Sequence, residues 1–76
     1  MNEVSVYLDP SLTKEDIEFS GFDHKEYRGL HRCFNGSNYI FIGNLNDKEL
    51  KKLMTFVEMC PIGHLFEVYC NHEKIW

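Results

Sequence analysis

The sequence has no apolar run near the roughly 18 residues that a membrane-spanning helix requires, and no signal-peptide core follows Met1. Its three cysteines are an odd number, which does not suit a disulfide framework. Its five glycines stand singly and form no phosphate-binding loop, which indicates no nucleotide cofactor. These absences predict a soluble, cytoplasmic protein in a reducing compartment.

Basic residues are also scarce. Eight lysines and arginines stand against twelve acidic residues, which gives a formal net charge of −4. A protein that holds nucleic acid through phosphate contacts needs clustered lysine and arginine, so this balance argues against that mode. The acidic residues concentrate between Glu15 and Glu26, which is predicted to be the most negative part of the surface.

The 76 residues are predicted to form a single compact α+β domain, 1–76. A chain of this size buries only about 60% of the surface that its unfolded form exposes. The core must therefore be thin, with little room for a deep pocket.

The first part of the chain predicts a strand and a short helix. Val4, Val6 and Leu8 have the period of two that is typical of a half-buried strand. Thr13 precedes Asp16 by three residues, which resembles a capping box at a helix start. An alternative interpretation makes residues 16–19 a short strand.

Asn35-Gly36 lies between two apolar, aromatic runs, which is a strong signal for a hairpin. A loop of two or four residues divides the hairpin's side chains between the two faces of the sheet. One face then carries Leu30, Arg32, Phe34, Tyr39 and Phe41, and the other carries His31, Cys33, Ile40 and Ile42. A three-residue loop would change which side chains of the two strands share a face.

The next segment predicts the main helix. Asn46 is a favourable N-cap with Glu49 three residues later, and Leu45 with Leu50 can form a hydrophobic staple. Pro61 ends the helix, and residues 64–71 alternate as a last strand.

The predicted order is βαββαβ, a ferredoxin-like α+β fold with a small antiparallel sheet, one long helix and one short helix. The alternative is an antiparallel meander packed on a single helix.

The stretch Ile40-Phe41-Ile42-Gly43-Asn44-Leu45 resembles the first-strand motif of RNA recognition motif domains. The resemblance implies the same class of fold, with Phe41 stacking a base. The family places this motif on its first strand, however, and only 33 residues follow Gly43 here. The family's second aromatic motif, on the third strand, is absent.

An aromatic platform for single-stranded nucleic acid is nevertheless an alternative function, if the sheet face that carries it is not the core face beneath the helices. The platform consists of Arg32, Phe34, Tyr39 and Phe41.

A small zinc module is the third hypothesis. Cys60, His64, Cys70 and His72 supply the four sulfur and nitrogen ligands that zinc prefers. Their spacing matches no common zinc knuckle, and Cys70 also aligns with buried positions of the last strand, so we expect no metal.

No nucleophile with an orienting partner is identifiable, which predicts that the protein is not an enzyme. A chain of this kind must then act through its surface, as an intracellular binding protein that inhibits or modulates a protein partner. In general character it resembles accessory proteins of phages and mobile elements that antagonise host defence.

The predicted partner-binding surface is the acidic segment with its two phenylalanines, which suits a basic groove on another protein. Self-association through an edge strand, giving a homodimer, is an alternative. The partner-binding residues are Glu15, Asp16, Glu18, Phe19, Phe22, Asp23 and Glu26.

Overall fold

The computed structural model describes residues 1–35 and 38–76, apart from the side chains of Phe34, Asn35 and Asn38. The elements are β1 (Asn2–Leu8), α1 (Lys14–Ser20), β2 (Leu30–Asn35), β3 (Asn38–Leu45), α2 (Asp47–Met59), β4 (Phe66–Cys70) and β5 (Glu73–Lys74). Short 3-10 turns lie at His24–Glu26 and Gly63–Leu65. No helix in the described ranges is long and apolar enough to cross a membrane.

The strands form an antiparallel sheet in the order β2-β3-β1-β4-β5. This confirms the α+β class. The five-stranded order differs from the plain ferredoxin-like sheet that was predicted, because a further strand extends the sheet beyond β4. The meander on a single helix is wrong, since β1 lies between β3 and β4 and two helices are present.

Asn71 and His72 account for the additional strand. Both residues have left-handed backbone conformations, with φ of 51° and 69°, and they reverse the chain after β4. Glu73 then pairs with Cys70, and Lys74 pairs with Tyr69. Asn71 is a residue type that tolerates this conformation, but no glycine follows it, and the turn was not predicted from the sequence.

The β2–β3 hairpin has the even pairing that was predicted. Leu30 pairs with Gly43, and Asn35 pairs with Asn38 at the far end. Two residues therefore separate the strands, and the three-residue loop is excluded. The turn residues 36–37 themselves lie outside the described part of the chain.

The capping box at the start of α1 is confirmed. The Thr13 hydroxyl accepts a hydrogen bond from the Asp16 amide at 3.2 Å, and the Asp16 carboxylate accepts one from the Thr13 amide at 2.9 Å. The helix ends at Gly21, whose φ of 86° favours glycine. The alternative strand over residues 16–19 is wrong.

The N-cap of α2 is also confirmed. The Asn46 side chain accepts a hydrogen bond from the Glu49 amide at 2.8 Å. The carboxylate of Glu49 in turn accepts the amide of Arg28 at 3.1 Å, which fastens the chain entering β2 to the helix start. Leu53 and Val57 are fully buried on the helix face that meets the sheet.

Both helices contribute to a hydrophobic core on one side of the sheet. On the opposite side, Tyr7 and Ile42 stay 36% and 40% exposed. The core cluster consists of Val4, Val6, Leu8, Leu12, Ile17, Phe22, Tyr27, Leu30, Phe41, Leu45, Leu53, Val57, Phe66 and Val68.

The end of the chain packs along β4. β4 begins at Phe66 rather than at His64, because Gly63–Leu65 form a 3-10 turn. The indole Nε1–H of Trp76 donates a hydrogen bond to the Gly63 carbonyl at 2.8 Å, while 37% of the residue remains exposed. This hydrogen bond fastens the last residue to the 3-10 turn before β4.

Candidate functional site

Helix α1 presents one apolar side chain to the core and another to solvent. Ile17 is 7% exposed, whereas Phe19 is 95% exposed. Residues two apart on an α-helix point about 200° away from each other, so burial of Ile17 directs Phe19 outward. Full burial of such a ring against a partner is worth about 1.5–3 kcal/mol.

A groove of about 560 Å³ lies beside Phe19, between α1 and the segment that follows α2. We call it the Phe19 groove. Apolar side chains from both segments supply most of its wall, so it offers a preformed place for an apolar group. It is lined by Ser11, Leu12, Asp16, Phe19, Ser20, Pro61, Ile62 and Leu65.

The carboxylate of Asp16 lines this groove, and those of Glu15 and Glu18 are exposed elsewhere on the same helix, with Glu18 at a separate depression beside Phe22. Hydrogen bonds from the backbone amide and the hydroxyl of Thr13 hold the pKa of Asp16 below its ordinary value, so that carboxylate is ionised at neutral pH. Lys14 lies 4.0 Å from Glu18 and offsets part of the charge. With three carboxylates and one ammonium, helix α1 keeps a net negative charge.

Phe22 does not belong to this surface, although it was predicted to bind a partner. It is 7% exposed and packs edge-on against Phe41 and Phe66, with ring centroids 5.2 and 5.5 Å away. Its role is to join the connection after α1 to the sheet. Burial prevents its direct contact with another protein.

Asp23 and Glu26 lie away from the Phe19 groove. The Asp23 carboxylate accepts the Lys25 amide at 3.0 Å and so caps the 3-10 turn. Glu26 lies 3.7 Å from the ammonium of Lys52 on α2, with both side chains about half exposed. Both carboxylates therefore have local structural contacts.

The hairpin residues proposed for base stacking lie on the face that the helices cover. Phe41 is 3% exposed, and the ring of His24 stacks on it at 4.9 Å. The Arg32 guanidinium lies 4.3 Å from the centre of the Tyr39 ring. The side chain of Phe34 is outside the described residues. The buried ring of Phe41 leaves no open face for a base.

The four candidate zinc ligands are not brought together. Among the residues that the structure describes, no group of three or more His, Cys, Asp or Glu side chains is positioned to hold a metal ion. His72 instead lies 3.6 Å from Glu3. Cys60, His64 and Cys70 form no such group with it.

The apolar wall of the groove was missed by reasoning from the sequence. Leu12 and Ile62 come from segments far apart in the chain, and Leu65 was assigned to the last strand. They meet only in the folded chain, where the segment around α1 and the segment after α2 line the same groove. No local pattern signals such a meeting.

No protein-family model, curated protein or solved structure matches this chain. No relative therefore points to an activity or a partner. The features that bear on function are the exposed ring of Phe19, the groove beside it and the negative charge of α1.

Proposed function

We propose that this protein is a small, non-enzymatic binding protein that engages another protein through the Phe19 groove and inhibits or modulates it. The observation that carries the proposal is the 95% exposure of Phe19 beside a preformed apolar groove. Large aromatic side chains at the centre of an interface supply much of its binding energy. An isolated exposed ring with a groove next to it has the form of such an anchor.

The negative charge of helix α1 indicates the chemistry of the partner. Asp16 in the groove, with Glu15 and Glu18 exposed on the same helix, favours a surface that carries lysine or arginine beside an apolar group. We expect an apolar side chain of the partner to enter the Phe19 groove while basic side chains approach the carboxylates of α1. Charge complementarity of this kind mainly raises the association rate and is weakened by salt.

A protein partner is favoured over nucleic acid on two grounds. The net charge of −4 opposes approach to a phosphate backbone, and Phe41 is buried where a base would have to stack. A zinc function has no support from the arrangement of the described ligands. The proposed setting is the cytoplasm, since a reducing compartment keeps the exposed Cys33 thiol unpaired.

Affinity capture from the native host cell tests the proposal, with wild-type protein, Phe19→Ala and Met59→Ala as baits. Met59 is the matched control, because it is also an exposed apolar side chain, at 78%, but it does not line the groove. We expect a specific protein to be retained by the wild type and Met59→Ala and lost with Phe19→Ala. The proposal would be refuted if every specific protein were retained equally by all three baits, or if no bait retained a specific protein.

A further inference from the structure

The face of the sheet opposite the helices carries a pair of tyrosines flanked by carboxylates. Tyr7 on β1 and Tyr69 on β4 have ring centroids 5.5 Å apart and ring planes at 82°. Tyr7 pairs directly with Glu67, and Ser5 pairs directly with Tyr69. Directly paired and alternate residues share a face, so these side chains stand on the same surface.

These residues form a shallow groove of about 260 Å³, which we call the tyrosine groove. Two rings at right angles offer one aromatic face and one edge, and a cation over an aromatic face is attracted by the ring's quadrupole. Carboxylates stand at both ends. The lining residues are Glu3, Ser5, Tyr7, Glu67, Tyr69 and His72.

Two basic side chains of the chain itself already lie at these carboxylates. The Lys74 ammonium is 3.3 Å from Glu67, and the His72 imidazole is 3.6 Å from Glu3. The side chains of Lys74 and Glu67 are 54% and 52% exposed, so this contact is a weak surface ion pair. A cation of a partner can therefore displace the Lys74 ammonium from Glu67 with little loss of free energy.

A second groove, of about 360 Å³, continues from the first and shares Tyr7 and Glu67 with it. Its walls include Pro10, Ile40 and Leu65, which suit an apolar group, together with the polar side chains of Asp9 and His64. A chain segment crossing this face would meet an acidic aromatic site and then a site of mixed character with apolar walls. That continuity fits an extended peptide better than a free small cation.

We propose that the open sheet face binds an arginine side chain of a protein segment, with the guanidinium stacked on a ring of the tyrosine groove and hydrogen-bonded to Glu67. Guanidinium suits this site because its flat, weakly hydrated ion stacks on aromatic rings while its N–H groups remain directed at a carboxylate. The tyrosine groove shares no lining residue with the Phe19 groove, and the proposal does not rest on the function proposed for that groove.

The test is a titration of the full-length protein, followed through the ring proton resonances of Tyr7 and Tyr69. The probe is a blocked alanine pentapeptide with a central arginine. The matched peptide carries citrulline, which has nearly the same shape but no charge. We expect shifts at both tyrosines with the arginine peptide, and an affinity at least about fivefold weaker with citrulline.

Two exposed substitutions should act in opposite directions. Glu67→Gln is expected to weaken binding of the arginine peptide about fivefold, and Lys74→Met to strengthen it about twofold, because removal of Lys74 releases the carboxylate. Glu58→Gln, an exposed carboxylate on α2, is the control and should change nothing. Both test positions are about half exposed, so the fold should tolerate them.

Any one of three results would overturn the proposal. The resonances of the two tyrosines do not shift, the arginine and citrulline peptides bind with equal affinity, or the Glu67→Gln variant binds the arginine peptide as well as the wild type does. Because the probe is a short peptide of defined sequence, this result does not depend on whether the Phe19 groove captures a partner.

Discussion

Gly29 and Gly43 lie so close together that a side chain on either residue would overlap backbone atoms of the chain opposite it. Gly43 faces the carbonyl of Gly29, and Gly29 faces the carbonyl of Asn44. This contact brings the entry to β2 against the end of β3. The stretch that resembles an RNA recognition motif therefore has a glycine at position 43 because the backbone packing leaves no room for a side chain.

Gly43→Ala should therefore destabilise the protein by about 1–3 kcal/mol, because the added methyl group forces the two backbones apart. Chemical denaturation measures the free energy of unfolding. Asn44→Ala, at an exposed position of the same strand, is the control and should stay within about 0.5 kcal/mol of the wild type. Equal unfolding midpoints for Gly43→Ala and the wild type would contradict the close approach.

Truncation of the two phenylalanines of the acidic segment should change the free energy of unfolding by very different amounts. Phe22→Ala removes a ring that packs against Phe41 and Phe66 and should lower the free energy of unfolding by about 3–5 kcal/mol. Phe19→Ala removes an exposed ring and should change it by less than about 0.5 kcal/mol. Thermal unfolding of both variants is the measurement, and similar losses of stability would show that the burial of these residues is misassigned.

Trp76→Phe keeps an aromatic ring at the end of the chain but removes the donor to the Gly63 carbonyl. We expect a loss of about 1 kcal/mol in the free energy of unfolding. Ile75→Val, a small change at the neighbouring half-exposed position, should have little effect. If Trp76→Phe unfolds at the same denaturant concentration as the wild type, the hydrogen bond contributes nothing to stability.

Stability should fall at alkaline pH through Tyr27. Burial, with a smaller effect from the Glu26 carboxylate, raises the pKa of Tyr27 to about 12. The phenol of the unfolded chain ionises near pH 10, so above that pH the unfolded state loses a proton that the native state keeps. The contribution is complete below about pH 10 and declines up to about pH 12, by at most about 2–3 kcal/mol.

Tyr27→Phe isolates this effect from other groups that titrate in the same range. The free energy of unfolding of the variant should decline less between pH 10 and 12 than that of the wild type. Parallel declines would mean that the phenol is not protected by the fold.

The elements with local signals could be predicted from the sequence. The side chains of Thr13 and Asn46 define helix starts because a cap depends on residues three positions apart. The alternation of β1 defines which of its side chains are buried. The turn at Asn71 and His72 carries only a weak signal, since Asn71 tolerates a left-handed conformation but no glycine follows it, and β5 was missed for that reason.

The candidate site could be predicted only in part. The acidic residues and Phe19 are visible in the sequence, because charge and aromatic character are local properties. Phe19 is exposed because Ile17 on the same helix faces the core, whereas Phe22 is buried after the chain turns at Gly21; the short helix pattern determined neither outcome. The apolar wall at Leu12 and Ile62 depends on tertiary packing alone.

The dissociation constant of the captured partner, measured for the wild type, Phe19→Ala and Met59→Ala, tests the role of the Phe19 groove most directly. Phe19→Ala is expected to weaken binding at least about tenfold, equivalent to about 1.4 kcal/mol, while Met59→Ala stays within about twofold. Equal dissociation constants for the wild type and Phe19→Ala would contradict the claim that the Phe19 groove is the binding site.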